Sequence, residues 1–451
     1  MPQATGGRTS VHDIAVARKT WLSGLGRSQW RSLFAANLGW LFDGFETYAL
    51  ILTASTVLHR LAPGEPAGSV AFLTGATIAV TLLGWGMGGI LGGVFADYFG
   101  RRRTLITAIV LYAAFTGLSA LSWSWESFLV LRFITGFALG SEWGTGTSLV
   151  AEMWPSHARA KAAGLMQCGL GLGFFIASFC WYFIAPIGPD SWRLMYLVGV
   201  LPALFALWLR RSVPESEQWT KAQHHRKKLR DRAPGELTEG EQAYTRLTLR
   251  QIFLDPKLRR LTILGSVMSL VTTLGWWGIS TWVPLYVSDV AAKAGHSASS
   301  WASGAGMIYN VGAIAGYVAF GFLADRFGRK PAVLLYFAAS LVLTPVLFLW
   351  THDLRIIVVV LVVNGFFTLG QYTWMPVWLP ELYPTHLRAT GVAFVFNAAR
   401  FVAFLGPLLS GAIISRLGGY GVAATVVGLI YIVGLLVAPF CPETRGRPLP
   451  E

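Results

Sequence analysis

Charge is what this 451-residue chain has least of: Asp, Glu, Lys and Arg make up 13% of it, against 54% hydrophobic residues. A soluble chain carries roughly 25% charged residues to keep its surface wet. The deficit excludes an ordinary soluble protein and means that most of the surface faces lipid, and the same composition excludes disorder. Cysteine is nearly absent: Cys168 and Cys180 share one apolar run and Cys441 ends another, so the three read as buried thiols and not as a disulfide framework. No histidine stands well inside an apolar run, which disfavours a histidine relay. No Walker sequence, metal-ligand cluster or nucleophile elbow appears, so an ATP-driven pump or a membrane enzyme has little support, and neither cofactor nor metal is expected. Residues 1–31 are polar and basic, without the short apolar core of a cleavable signal.

What the chain has instead is long apolar runs, near 33–57, 70–96, 104–124, 127–151, 162–185, 194–210, 262–287, 302–324, 332–351, 355–379, 389–414 and 421–441. Each is long enough to cross a bilayer as a helix, and none shows the ~10-residue alternation of a barrel strand. The expectation is an all-α polytopic membrane protein with twelve spans. With the N-terminus inside, 29 of the 36 Lys and Arg residues fall on the inner side. That asymmetry accounts for the net charge of +14 without a nucleic-acid partner and places both termini in the cytoplasm.

The polar stretch at 211–261, around His224 to Arg232, divides the chain into six plus six spans, and the halves match in register. Gly93-Val-Phe-Ala-Asp97-Tyr-Phe-Gly100-Arg101-Arg102-Arg103 after span 2 recurs 228 positions later, after span 8, as Gly321-Phe-Leu-Ala-Asp325-Arg-Phe-Gly328-Arg329-Lys330. Glu152-Met-Trp-Pro155-Ser-His157-Ala-Arg159 recurs at 229 as Glu381-Leu-Tyr-Pro384-Thr-His386-Leu-Arg388, and Pro214-Glu215-Ser216 at 228 as Pro442-Glu443-Thr444. The expected divisions are a tail at 1–32, bundles at 33–210 and 262–441, a linker at 211–261 and a tail at 442–451.

Over residues 30 to 446 these motifs resemble the major facilitator superfamily. Its loop signature is present in both copies, with Tyr98 in place of the usual base in the first. The resemblance implies two six-helix bundles around one central site, alternating access by rocking of the halves, and a bacterial-type inner membrane. Arg132 to Gly144, leading into Glu152-Met-Trp-Pro, is similar to the metabolite and sialate proton symporters. Leu41-Phe-Asp43-Gly-Phe-Glu46 is similar to the same group and to its aromatic-acid relatives, which usually carry a second Asp where this chain has Glu46. The sugar porters share Arg132 and the Glu152 to Arg159 spacing but lack Glu142.

The paired loop motifs read as a cytoplasmic gate. Asp97 and Asp325 can accept from helix N-termini and from arginines of the opposite bundle, and Glu152, Arg159, Glu381 and Arg388, with Arg101 and Arg329 of the loop signatures, can complete the lattice. His157 and His386 in these loops are expected to be solvated, with no coupling role.

Ionisable groups inside spans are costly, roughly 2.5 to 3.5 kcal/mol each at the bilayer centre on insertion scales, and therefore mark function. There are five: Asp43, Glu46, Glu142, Arg132 and Arg400. Asp43 and Glu46 share a helical face and read as coupled titrating groups, with Asp43 the main proton carrier and Glu46 or Glu142 the second. Arg132 can neutralise a span 1 carboxylate, and Arg400 presents a planar fork for an anion. Asn397, Gln371, Tyr372, Tyr309, Asn310, Gln167 and Trp276 are candidates to join Arg400 around a substrate; Asn37, Tyr48, Trp277, Asn364 and Trp374 lie at similar depth. The expected function is proton-coupled symport of a small organic acid, whether monocarboxylate, aromatic acid or sugar acid, by a monomer. A proton-driven exporter and a neutral sugar symporter remain alternatives.

Overall fold

The computed structural model describes residues 21–64, 66–202, 204, 205, 208, 212–232, 237, 238, 241 and 246–450. Most of the first tail, and parts of span 6 and of the linker, lie outside them. The chain is helical throughout the described residues, and the helices overrun the apolar runs by up to two turns. Span 1 is Arg27–Leu61, span 2 Ala67–Phe99, span 3 Arg101–Ser119, span 4 Trp125–Met153 and span 5 Arg159–Ile184. The described start of span 6 is Trp192–Val198. The stretch expected only as a polar linker contains a basic helix, Glu217–Arg230, started by the Ser216 hydroxyl accepting from Trp219 N–H.

The second half repeats the first with more breaks. Span 7 is Pro256–Ser280 continued by Val283–Lys293, span 8 Ala298–Phe327, and span 9 Arg329–Pro345 with a π turn at Val346–Trp350. Span 10 runs Leu354–Thr368, tightens into a 3-10 turn at Gly370–Thr373 and resumes at Trp374–Trp378. Span 11 is Arg388–Ala398, Arg400–Ala403 and Leu405–Arg416, and span 12 Tyr420–Gly428 and Ile430–Val437. Interrupted helices at this depth are tolerated only where protein or a cavity meets the freed backbone groups. Here the breaks in spans 10 and 11 fall at Tyr372 and Arg400.

Glycines set the close contacts. In the first half the glycines of span 5 meet span 1 and those of span 2 meet span 4, and a Cβ on Gly44 would lie 2.5 Å from the Leu170 carbonyl. Two seams of the same kind join the halves: span 2 with span 11, where a Cβ on Gly93 would stand 2.7 Å from the Ala389 carbonyl, and span 5 with span 8, through Gly164 and Gly321. Large apolar side chains such as Phe183, Val359 and Leu436 are exposed on the outside of the barrel of helices, where the surrounding medium must be hydrocarbon. Cys441 is buried as expected, whereas Cys168 and Cys180 are only half-buried; all three are free thiols.

Candidate functional site

Both halves send their loop motifs to one end, called here the basic end. Gly100 and Gly328 turn the chain between spans 2 and 3 and between spans 8 and 9 at φ of 105° and 110°, a left-handed conformation that other residues adopt only under strain. There is also no room for a side chain: a Cβ on Gly328 would sit 2.8 Å from Glu443. The reason is the third repeated motif. Glu215 accepts from the N–H groups of Arg101 (3.0 Å) and Arg102 (3.2 Å) at the start of span 3, and Glu443 from those of Arg329 (3.1 Å) and Lys330 (3.0 Å) at the start of span 9. A carboxylate at a helix N-terminus satisfies orphan donors and complements the dipole. Burial alone would raise the Glu443 carboxyl, but the N–H groups of Arg329, Lys330, Arg445 and Thr444 outweigh it and hold it below the usual glutamate value. Its grip on span 9 is therefore complete above the ordinary glutamate range and is lost as pH falls through the lowered value.

Above these caps the halves are pinned together. Asp97 accepts from Thr390 N–H (2.8 Å) and Thr390 Oγ1 (2.6 Å) of span 11 and pairs with Arg101 at 2.9 Å. Arg101 donates to Glu152 (3.0 Å) and to the Thr385 carbonyl (2.9 Å), and Arg388 reaches across to Glu152 at 3.1 Å. Ser216 also donates to Glu152, and Lys161 pairs with Asp325. The two copies are not used alike. Glu381 is held within its own half by Arg329 (2.6 Å) and Thr444 (2.5 Å); Arg159 donates to the Ala151 carbonyl and forms no ion pair with Glu381. Asp325, expected to meet a helix N-terminus or an arginine, meets a lysine. Exposed His157 fits the expectation, but His386 is not solvated: it is half-buried, its carbonyl accepts from Arg226, and burial together with Arg226 and Arg388 lowers its pKa to about 3.

Removing one charge from this lattice has a defined consequence. Asp97→Asn replaces two charge-assisted acceptances across the seam, each worth roughly 1.5 to 3 kcal/mol, with neutral ones. Spin labels on exposed Arg103 and Arg326 should give one short distance in the wild type and an added, longer population in the variant. An unchanged distance distribution would show that the lattice does not hold this end shut.

The middle of the molecule holds five buried charges in a short stack. Arg132 of span 4 pairs with Glu46 of span 1, donates to Ser119 (2.6 Å) and Thr135 (3.1 Å), and lies 4.7 Å over the Tyr196 ring. Asp43, about 4.5 Å further along span 1 at 1.5 Å per residue, faces Glu142 of span 4, which rests on Gly39. Asp43 and Glu46 thus share a face but not a partner. None of the four oxygens of Asp43 and Glu142 has a partner at hydrogen-bonding geometry. The Arg400 guanidinium lies over the Trp85 and Phe396 rings, its carbon 4.5 and 4.2 Å from their centres, and donates to the Phe396 carbonyl at 2.8 Å. Among the described residues no carboxylate lies within 4 Å of it.

Arg400 borders a cavity of about 240 Å3, lined from the first half by Trp40, Thr47, Trp85, Leu170 and Phe174 and from the second by Trp276, Trp277 and Tyr372. A neighbouring space of about 320 Å3 shares Thr47, Trp85 and Trp277 and reaches Glu46 and Arg132. Toward the basic end Phe396 stacks on Trp143 with ring centres 3.6 Å apart; toward the other end Tyr48 stacks on Phe174 (4.7 Å), which meets Trp276 (5.6 Å). The cavity is thus roofed and floored by rings from opposite halves.

Of the eight candidate substrate residues, Arg400, Tyr372 and Trp276 line this cavity; the other five do not. Gln371 donates to the Thr368 carbonyl and the Tyr431 hydroxyl, Tyr309 to Asn364, Asn310 to the Gly306 carbonyl and Asn397 to the Ala393 carbonyl, while Gln167 accepts from Trp143. Each spends polar groups within its own half. Sequence reasoning missed Trp40, Thr47, Trp85, Phe174 and Phe396 in the middle, and Lys161, Glu215, Thr390 and Glu443 at the basic end. The recurrence of Glu215 as Glu443 was the available signal for those two.

Comparison with known proteins agrees with this architecture. The chain is 32% identical to a putative metabolite transport protein of Haemophilus influenzae, over 93% of this chain and 98% of that one. It is 26% identical to the sialic acid transporter NanX of Escherichia coli, over 92% and 95%. Its fold is similar to that of the major facilitator proton:xylose symporter XylE bound to 6-bromo-6-deoxy-D-glucose, with a TM-score of 0.74, 22% identity, and 94% and 98% of the two chains covered. Residues 34–451 match the family described as sugar (and other) transporter. This chain therefore belongs to that family, within the major facilitator superfamily, and is a multi-pass membrane transporter and not an enzyme.

Proposed function

We propose that this protein is a proton-coupled symporter that takes up a small organic anion by alternating access. It acts as a monomer without a cofactor, its basic end toward the cytoplasm of a bacterial-type inner membrane. The observation that carries this is the pairing of two unsatisfied opposites: a buried guanidinium with no carboxylate against it and, in the same core, a carboxyl pair with no donor. Uncompensated buried charges of this kind are tolerated only where a ligand or a proton completes them. A bound carboxylate completes Arg400, and a proton completes the Asp43–Glu142 pair.

The charge count then couples the two. Arg132 and Glu46 cancel. With the cavity empty, the pair's one proton rests on Glu142 and the single negative charge, on Asp43, balances Arg400, so the core is neutral. When an anion occupies Arg400, neutrality requires a second proton. The loaded transporter thus crosses with two protons and returns with one, so one proton moves inward with each monoanion and no net charge moves. A relative named as a sialic acid transporter supports an organic acid as cargo.

Purified protein in liposomes should accumulate labelled organic acid when the outside is acidic. Accumulation that ignores the pH gradient, or that follows an acidic interior, would replace symport by facilitated diffusion or export.

A further inference from the structure

The hydrogen-bonding character of the cavity narrows the substrate further, resting on the reading of Arg400 as an anion site. The cavity is rich in donors and poor in acceptors. Trp40 Nε1, Trp85 Nε1, Trp276 Nε1, Thr47 Oγ1 and Arg400 Nε are all buried without a hydrogen-bond partner, and all five residues line the cavity. Thr47 is unusual in this: Thr53, later in the same helix, returns its hydroxyl to the Ala49 carbonyl at 2.7 Å, whereas Thr47 makes no such bond. Indole N–H and guanidinium N–H groups donate only. The groups able to accept have been withdrawn: the oxygens of Gln371, Asn310, Asn364 and Gln167 belong to residues outside the lining, and among the lining residues only the Thr47 and Tyr372 hydroxyls accept. The remaining walls are ring faces and Leu170.

A ligand that fits such a site offers acceptors and flat apolar surface and has few donors of its own, because every buried donor it brought would go unmatched. We propose that the substrate is a planar aromatic or conjugated monocarboxylate, its carboxylate on Arg400 and the Trp40 and Trp85 indole N–H groups and its flat face against the rings that line the cavity. Polyhydroxylated sugar acids and neutral sugars, in which each hydroxyl must donate as well as accept, are excluded by the same walls.

The test is calorimetric binding to the purified full-length protein in nanodiscs at mildly acidic pH, with benzoate, nicotinate, nicotinamide, gluconate, N-acetylneuraminate and D-xylose as probes. Benzoate and nicotinate should bind at least tenfold more tightly than gluconate or N-acetylneuraminate, and nicotinamide, the same ring without the charge, should bind tenfold or more weakly than nicotinate. Trp85→Phe keeps a ring over Arg400 and deletes one donor. It should weaken benzoate about tenfold, the loss of one hydrogen bond to a charged group, with thermal stability retained. A Trp85→Phe variant that binds benzoate like the wild type would overturn the donor assignment. Gluconate or N-acetylneuraminate binding as tightly as benzoate, or neither flat acid binding, would overturn this inference while leaving organic-anion symport standing. D-xylose binding more tightly than any acid would overturn both.

Discussion

Asp43→Asn is expected to abolish uphill transport and to leave exchange intact. The residue is fully buried in span 1, and its carboxyl faces Glu142 with no donor to either. The amide is nearly isosteric with the protonated acid, so with Glu142 protonated the variant resembles a pair that has permanently taken its second proton. Loaded transporter can still cross and swap labelled for unlabelled substrate, but it no longer releases a proton inside. With one proton per anion, each pH unit across the membrane is worth about 1.4 kcal/mol, or about tenfold accumulation. The wild type should approach that ratio and Asp43→Asn should stay near unity, with counterflow within a few-fold of wild type. Accumulation by the variant equal to wild type would remove Asp43 from coupling. Glu46→Gln should behave differently, because it strands Arg132 in the core. A broken buried pair costs roughly 3 to 5 kcal/mol, so the expected outcome is loss of folded protein in a detergent melting assay and not an uncoupled transporter.

Arg400→Lys is expected to cut affinity for a carboxylate by about a hundredfold. The guanidinium lies over the Trp85 and Phe396 rings and is anchored to the Phe396 carbonyl, which limits the directions of its free N–H groups. A lysine neither stacks in that slot nor presents a fork to a carboxylate. Losing two charge-assisted hydrogen bonds at roughly 1.5 kcal/mol each corresponds to that factor. An uncharged ring analogue, held by the walls alone, should lose severalfold at most. Equal losses for the acid and the neutral analogue, measured by calorimetry, would show that Arg400 does not hold the anion.

The sequence made the repeat, the spans and the five core charges legible, because each is either periodic or expensive. Asp97, Glu152 and Arg388 stood out by recurrence, and the structure brings them into one lattice across the seam. Their asymmetry was not legible: whether Glu152 or Glu381 crosses between halves depends on which half is rotated toward the other, and both copies carry the same letters. The polar residues at midspan misled for a related reason. Asn310, Asn397 and Gln371 find a carbonyl three or four residues back in their own helix, so polarity at the right depth does not require a cavity. Trp40 and Trp85 were not among the tryptophans singled out from the sequence, where nothing distinguishes a packing tryptophan from one whose N–H is left unmet. Their unpaired indole N–H groups, in one cavity with Arg400, set them apart, and that is visible only in three dimensions.

The central claim is that neutrality of the buried core ties anion binding at Arg400 to proton uptake at Asp43 and Glu142. Its most direct test is the simultaneous recording of proton uptake and substrate uptake in proteoliposomes on a solid support, with a pH-sensitive dye inside and electrodes reading net charge. The account predicts one proton taken up per monoanion, no transport current, and rates unaffected by clamping the membrane potential. Anion uptake without proton uptake, or a net charge carried in each cycle, would contradict it.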